Sequence, residues 1–202
     1  MIAIIDYGVG NLFSLQSSFR AIGQEICVTG DADPIAKADK VVLPGVGAFG
    51  DAAAKLRESG LDRVVMEQAH SGKPLLGICL GMQMLLEESF EYGRHSGLGL
   101  IPGRVGPIAD VIPQGYKIPH IGWNALHFPA PSPLFRYVRE GECVYFVHSF
   151  CGIDCKANTI ATSEYGAEVT AAVARDNVFG VQFHPEKSGQ VGLNILKAFS
   201  EL

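Results

Sequence analysis

A cysteine set between two glycines, Gly77-Ile78-Cys79-Leu80-Gly81, is the stretch of this sequence best suited to covalent chemistry. The spacing is that of a Gly-x-nucleophile-x-Gly elbow, with Cys in the place usually held by Ser. Such a turn takes the chain sharply from a strand into a helix. Its glycines relieve the crowding, and its central residue is held under strain. The sulfur then stands clear of the sheet at the N-terminus of the next helix, where the helix dipole and free N–H groups favour an anion. A lone cysteine is more often a small buried hydrophobe. The elbow spacing reverses that preference, provided the chain also supplies a base.

Six histidines are available for that role. His70 and His95 lie in polar segments, and His120, His127 and His148 fall in strand or loop stretches. His184 closes the apolar run Val181-Gln182-Phe183 and is followed by Pro185-Glu186. Residues i and i+2 of an extended chain project to one side, and Pro185 cannot continue a paired strand. His184 and Glu186 therefore mark the point where the chain leaves the sheet. A carboxylate beside an imidazole fixes its tautomer and stabilises the imidazolium. The economical triad is Cys79–His184–Glu186, in a chain order unlike that of the α/β-hydrolases.

The elements that must position these groups are legible from periodicity. Ile2–Ile5, 25–29, 40–43 and 75–79 read as short buried strands. Leu12, Leu15, Phe19 and Ile22 fall at helical spacing up to Gly23, and further helical patterns cover about 51–58, 62–70 and 82–88. The alternation implies an α/β fold, a mixed and mostly parallel central sheet with helices on both faces. After Gly93, short segments joined by Pro and Gly (97–105, 116–123, 143–149, 159–162, 169–175 and 178–184) imply additional antiparallel strands in the C-terminal half. Ser188 is placed to cap a closing helix on Val191, Ile195, Leu196 and Phe199. Ligands of such sheets bind beyond the carboxyl ends of the strands, where both Cys79 and Pro44-Gly45-Val46-Gly47 fall. The glycines there let backbone N–H groups turn toward a developing oxyanion, with the Leu80 N–H opposite. Gly8-x-Gly10 lacks the third glycine of a dinucleotide fingerprint and reads as a tight turn.

Composition narrows the classes. At 202 residues without linker, repeat or low-complexity stretch, the chain reads as one domain over residues 1–202. A net charge of −5 with no run of like charge gives no footprint for nucleic acid or for a membrane surface. Met1-Ile2-Ala3-Ile4-Ile5-Asp6 reads as a first strand and not a signal peptide, and no apolar run has membrane-spanning length. Five irregularly spaced cysteines argue against a disulfide framework. Cys151 and Cys155 have no second ligand pair for zinc, so no metal site is expected.

Together, Pro44-Gly45-Val46-Gly47, Gly77-Ile78-Cys79-Leu80-Gly81-Met82-Gln83 and Phe183-His184-Pro185-Glu186 resemble the class I (triad) glutamine amidotransferases. Within them, Ile4 to Asn11, Pro119 to Asn124, Tyr145 to Phe150 and His184 to Ser188 resemble the glutaminase subunits of imidazole glycerol phosphate synthases, from histidine biosynthesis. The resemblance spans nearly the whole chain. It departs at Phe150, where related sequences often carry Tyr, and in the Cys-containing loop 151–158.

The resemblance implies hydrolysis of L-glutamine to glutamate and ammonia, with no cofactor, in the cytoplasm. Glutamine would lie over Cys79, near Gly47, Gln83, Ser149 and Phe150, with Leu80 and Val46 N–H groups receiving the oxyanion. Ammonia would pass to a (β/α)8-barrel cyclase partner, with Asn11, His120, Trp123, Tyr145 and Lys187 at or near the interface. For Asn11, a helix cap is an equal reading. Two other functions remain open: a glutaminase subunit of another synthase, against which Gly122-Trp123-Asn124 and Glu186-Lys187-Ser188 weigh, and a non-catalytic scaffold. A Cys peptidase is a weaker fourth.

Overall fold

Ile2–Ile5 is apolar at every position because both of its faces are covered. In the computed structural model, which describes residues 1–202, this first strand (β1) pairs in parallel with two others. The chain runs on through α1 (Leu12–Ala21), β2 (Ile26–Thr29), α2 (Ala32–Lys37), β3 (Lys40–Leu43), α3 (Phe49–Glu58) and α4 (Leu61–His70). β4 (Leu75–Ile78) then leads through Cys79 into α5 (Leu80–Leu85). Short strands β5 (Glu88–Ser89), β6 (His95–Ser96) and β7 (Arg104–Pro107) follow. The C-terminal half holds β8 (His120–Ala125), β9 (Cys143–His148), β10 (Phe150–Ile153), β11 (Thr159–Glu164), β12 (Glu168–Arg175), β13 (Val178–Val181) and α6 (Gly189–Ser200).

The central sheet has seven strands in the order β11-β12-β13-β4-β3-β1-β2. The five from β13 to β2 are parallel, and β11 and β12 add an antiparallel edge. Strand alternation sends its side chains into two separate cores. Ala3, Ile5, Val41 and Leu43 join α2, α3 and α4 on one face. Ile2, Ile4, Val42 and Leu76 join α1 and α6 on the other, against Leu15, Phe19, Ile195 and Phe199. Each fully buried side chain of that size contributes roughly 1.5–3 kcal/mol. A smaller sheet (β10-β7-β5-β6) and a two-stranded arm (β8-β9) lie outside the main one.

Three expectations change. The elbow helix is shorter than 82–88: it starts at Leu80 and stops at Leu85, because tertiary pairing outweighs the helix propensity of Glu87 and Glu88. Glu87 N–H donates to Gly103 O (3.0 Å), Gly97 N–H donates to Glu87 O (2.8 Å), and Glu88 pairs with both Ser96 and Arg104. The short helix α2, unmarked by periodicity, follows Asp31, with Pro34 tolerated in its first turn. The last sheet strand ends at Val181 and not at His184, and residues 185–187 coil into a 3-10 turn.

Candidate active site

β4 lies between β3 and β13, and the register Leu43↔Gly77↔Gly180 brings all three strand ends to one level. Three segments therefore leave the sheet side by side. Pro44–Gly47 follows β3, Cys79 follows β4, and Gln182–Glu186 follows β13. Cys79 takes φ 54° and ψ −112°, a region that a residue with a Cβ rarely enters. Glycine at the flanks is a spatial requirement. A Cβ on Gly81 would run into the Leu43 carbonyl oxygen, and one on Gly77 would sit 2.7 Å from the Gly81 oxygen. Gly45 packs as tightly from β3, where a Cβ would lie 2.9 Å from Gly81 N. The Tyr7 hydroxyl donates to Pro44 O (2.8 Å) and pins that segment, while burial and then the nearby Cys79 charge raise its pKa.

The cleft over Cys79 has a volume of about 360 Å³. Val46, Gly47, Leu80, Gln83, Ser149, Phe150, His184 and Lys187, all singled out in the sequence, line it beside Cys79. Leu80, as the first residue of its helix, has no intrahelical partner for its N–H. The Val46 N–H likewise makes no hydrogen bond within the chain. Glu186 stands behind His184, its side chain 3% exposed, with Oε1 2.8 Å from His184 Nδ1. The 3-10 turn, not an extended i, i+2 pair, brings these two together. Ser188 occupies the position before α6 without capping it. Its hydroxyl donates to His184 O (2.6 Å) and accepts from Tyr145 N–H (3.0 Å), which ties the His184 segment to β9.

Burial of the His184 ring opposes its protonation. Hydrogen bonds to Cys79 and Glu186, and then their charges, outweigh that cost and raise its pKa from 6.5 to about 9. Glu186 Oε2 is buried with no partner in the chain, so the carboxylate is held through Oε1 alone. A histidine raised in this way binds its proton more tightly folded than unfolded. The stability it confers is complete below about pH 6.5 and is lost as pH rises through about 9. That loss is on the order of 3 kcal/mol. Denaturant unfolding at about pH 6 and about pH 9.5 is expected to show it in the wild type and a smaller loss in Glu186→Gln. Equal losses would contradict the pairing.

Four lining or supporting groups were given no site role from the sequence, although Pro119, Val147 and His148 fall within motifs of the resemblance. Glu91, buried at the cleft edge, accepts the Phe49 N–H (2.7 Å). Pro119 and Val147 form part of the wall. His148, read only as a strand histidine, lines the cleft and donates through Nδ1 to Phe150 O (2.8 Å). Burial pushes its pKa down to about 4, against the Phe150 hydrogen bond and with the charges of His120 and His184.

The five residues expected at a partner surface separate. Trp123 is 55% exposed on β8 and meets Tyr145 edge-on, with ring centroids 6.0 Å apart. Lys187 Nζ lies over the Tyr145 ring, 5.9 Å from its centroid. Asn11 precedes α1 without a side-chain cap. His120 is fully buried, between His148 (3.0 Å) and Asn124 (2.8 Å), so it offers no surface of its own. Cys151 and Cys155 are both buried, and burial, with smaller contributions from Cys155 and Asp110, pushes the Cys151 thiol up to about 12. No group of three or more His, Cys, Asp or Glu side chains is arranged to hold a metal ion, and no helix is long and apolar enough to cross a membrane.

The subunit HisH of imidazole glycerol phosphate synthase from Syntrophotalea carbinolica is 50% identical over all of both chains. Its counterpart from Moorella thermoacetica is 48% identical over all of this chain and 94% of that one. Among solved structures, PurLQS from Thermotoga maritima superposes with a TM-score of 0.78 at 20% identity, covering 99% of this chain and 97% of that one, and so shares the fold. The family model of the class-I glutamine amidotransferases matches residues 3–201, from the first strand through the last helix, and the chain belongs to that family.

Proposed function

We propose that this chain is the glutaminase subunit of an imidazole glycerol phosphate synthase, acting as one domain over residues 1–202. It hydrolyses L-glutamine through a Cys79 thioester and passes ammonia to a (β/α)8-barrel cyclase. That partner forms imidazole glycerol phosphate and an aminoimidazole carboxamide ribotide in histidine biosynthesis. The observation that carries the reading is the meeting of Cys79 with His184 and Glu186 at the ends of two adjacent strands, β4 and β13. Full-length relatives at about half identity support the choice of synthase. A nucleophile that works only as a reduced thiol suits a cytoplasmic location.

The chemistry follows from the atoms in the cleft. The Cys79 sulfur attacks the carboxamide carbon, and the C=O electron pair moves to oxygen, where the Leu80 and Val46 N–H groups receive it. His184 gives its proton to the departing nitrogen as the C–N bond breaks, releasing ammonia and leaving the thioester. The neutral ring then takes a proton from water, which attacks the thioester and frees glutamate. Glu186 keeps the ring oriented throughout. The cleft lies at the small end of the roughly 300–1,000 Å³ range of ligand pockets, as suits an amino acid.

Two polar side chains of the wall, Gln83 and Glu91, present acceptors to the substrate. Gln83 spends both N–H donors inside the protein, on Phe150 O (3.1 Å) and Gln182 Oε1 (3.0 Å), so it offers glutamine only an acceptor. Glu91 commits Oε2 to the Phe49 N–H and keeps Oε1 for the substrate's α-ammonium group. Losing one charge-assisted hydrogen bond predicts that Glu91→Gln raises KM for glutamine about 10- to 100-fold with kcat little changed. A steady-state titration checks this, and a fall in kcat at constant KM would remove Glu91 from the binding role.

Ammonia leaves through the wall that Val147, Pro119 and Lys187 form. Val147 pairs across the arm with Ile121, which is 56% exposed, beside Trp123. An apolar rim of this kind fits a partner surface. The test is glutamate release by the chain alone, then with the cyclase, then with the cyclase and its ribotide. Activity that rises at each step supports the reading. A bound cyclase that leaves the rate unchanged would overturn the synthase assignment.

A further inference from the structure

Gln182 follows β13 and is fully buried in the second apolar core's strand layer, between Val181 and Phe183. A buried primary amide carries two donors and one acceptor, and each unmet group is costly. Its own backbone N–H is used on Ala171 O (2.8 Å), so the side chain must be satisfied by other side chains. Its two ends meet Gln83 Nε2 (3.0 Å) and Cys79 Sγ (3.8 Å).

Which end faces the sulfur follows from counting protons. The Phe150 carbonyl has none, so the Gln83 atom 3.1 Å away must be its nitrogen. That nitrogen's second proton points at Gln182, which must answer with its oxygen. The Gln182 nitrogen is left for Cys79. Reversing either amide would set two donors or two acceptors against each other. We propose that Gln182 donates an N–H to the Cys79 sulfur, stabilising its anionic form and fixing the direction of the lone pair that attacks. This rests on the glutaminase reading in so far as Cys79 is the nucleophile.

The donor has a distinct place in the cycle. In the proposed cycle His184 gives its proton away when ammonia departs, while Gln182 is the side chain in hydrogen-bonding contact with the sulfur. A carboxamide keeps its protons at every pH of interest, so the Gln182 N–H persists when the thioester collapses and the sulfur leaves as an anion. Gln182 sits two residues before His184, so a single segment of chain carries the amide that meets the sulfur and the histidine of the triad.

Gln182→Met keeps the volume and removes the donor, and Gln182→Glu keeps the acceptor for Gln83 but sets a carboxyl oxygen against the sulfur. The pH profile of Cys79 alkylation by iodoacetamide is expected to move up by about one unit in Gln182→Met, a roughly tenfold slower rate at neutral pH. In Gln182→Glu it moves further. For glutamine, kcat falls with KM nearly unchanged. A purely structural role would lower thermal stability and leave the alkylation profile in place, and that result in either folded variant overturns the proposal. In the unmodified protein, the Gln182 side-chain amide resonances should shift with the alkylation profile and stop shifting in Cys79→Ala. Flat resonances overturn the proposal even if neither variant folds. Alkylation needs no glutamine, so failure here is distinct from failure of the glutaminase reading, which would appear as no glutamate release by the wild type.

Discussion

Replacing Cys79 with alanine is expected to lower glutamate release by roughly five to six orders of magnitude, the cost of removing the nucleophile from a triad that acts as a unit. What remains is the weak catalysis of the oxyanion donors and of binding, with water attacking directly. The protein should still fold. The substitution removes one small sulfur from a position 8% exposed, and the strained φ of 54° is imposed by neighbours that do not change. The packing of Gly81 under the Leu43 carbonyl and the Cys79 N–H bond to Val181 O (2.8 Å) hold the elbow whatever stands at its centre. Glutamine binding should therefore survive with little change, which calorimetry on the variant checks. Activity within a hundredfold of wild type would mean that the sulfur is not the attacking atom.

His184→Ala is expected to cost roughly five to six orders of magnitude in kcat. The loss has two parts: the proton for departing ammonia, and the base for the water that clears the thioester. The second part gives the variant a signature, since any thioester formed should persist. Glu186→Gln should be milder, because the Cys79 hydrogen bond stands ahead of Glu186 among the influences that hold the His184 proton. Rapid-quench measurement of enzyme-bound glutamyl group and free ammonia separates the two steps. A His184→Ala protein that turns over at the wild-type rate would remove histidine from both.

The elbow at Cys79 was legible in the sequence because its demands are local. Gly77 and Gly81 announce the turn whatever the rest of the chain does. His184 and Glu186 were legible for a related reason, since proline after an apolar strand marks an exit from the sheet. The route by which they meet was not: an extended pair was expected and a 3-10 turn is found, because Ser188 bonds the His184 carbonyl and coils the segment. Helix α5 was overdrawn because periodicity cannot register that Glu87 and Glu88 find strand partners at positions 96, 97, 103 and 104. Glu91 and His148 left no local mark, since each owes its place to contacts far along the chain, with Phe49 and His120. Gln182 did leave one. A single amide inside an apolar run must be paired, and only the structure says with what. The residues expected at a partner surface came from the family resemblance and not from local pattern; Trp123 and Lys187 are exposed, and His120 is not, because it is stacked between Phe146 and Tyr165.

The central claim is that glutamine is cleaved through a covalent bond to Cys79, and the most direct measurement is mass spectrometry of protein quenched in acid during turnover with glutamine. The expected result is a glutamyl group on the peptide that carries Cys79, on none of Cys27, Cys143, Cys151 or Cys155, accumulating in His184→Ala and absent from Cys79→Ala. Steady glutamate release with no adduct on Cys79, or release that persists in Cys79→Ala, would contradict it.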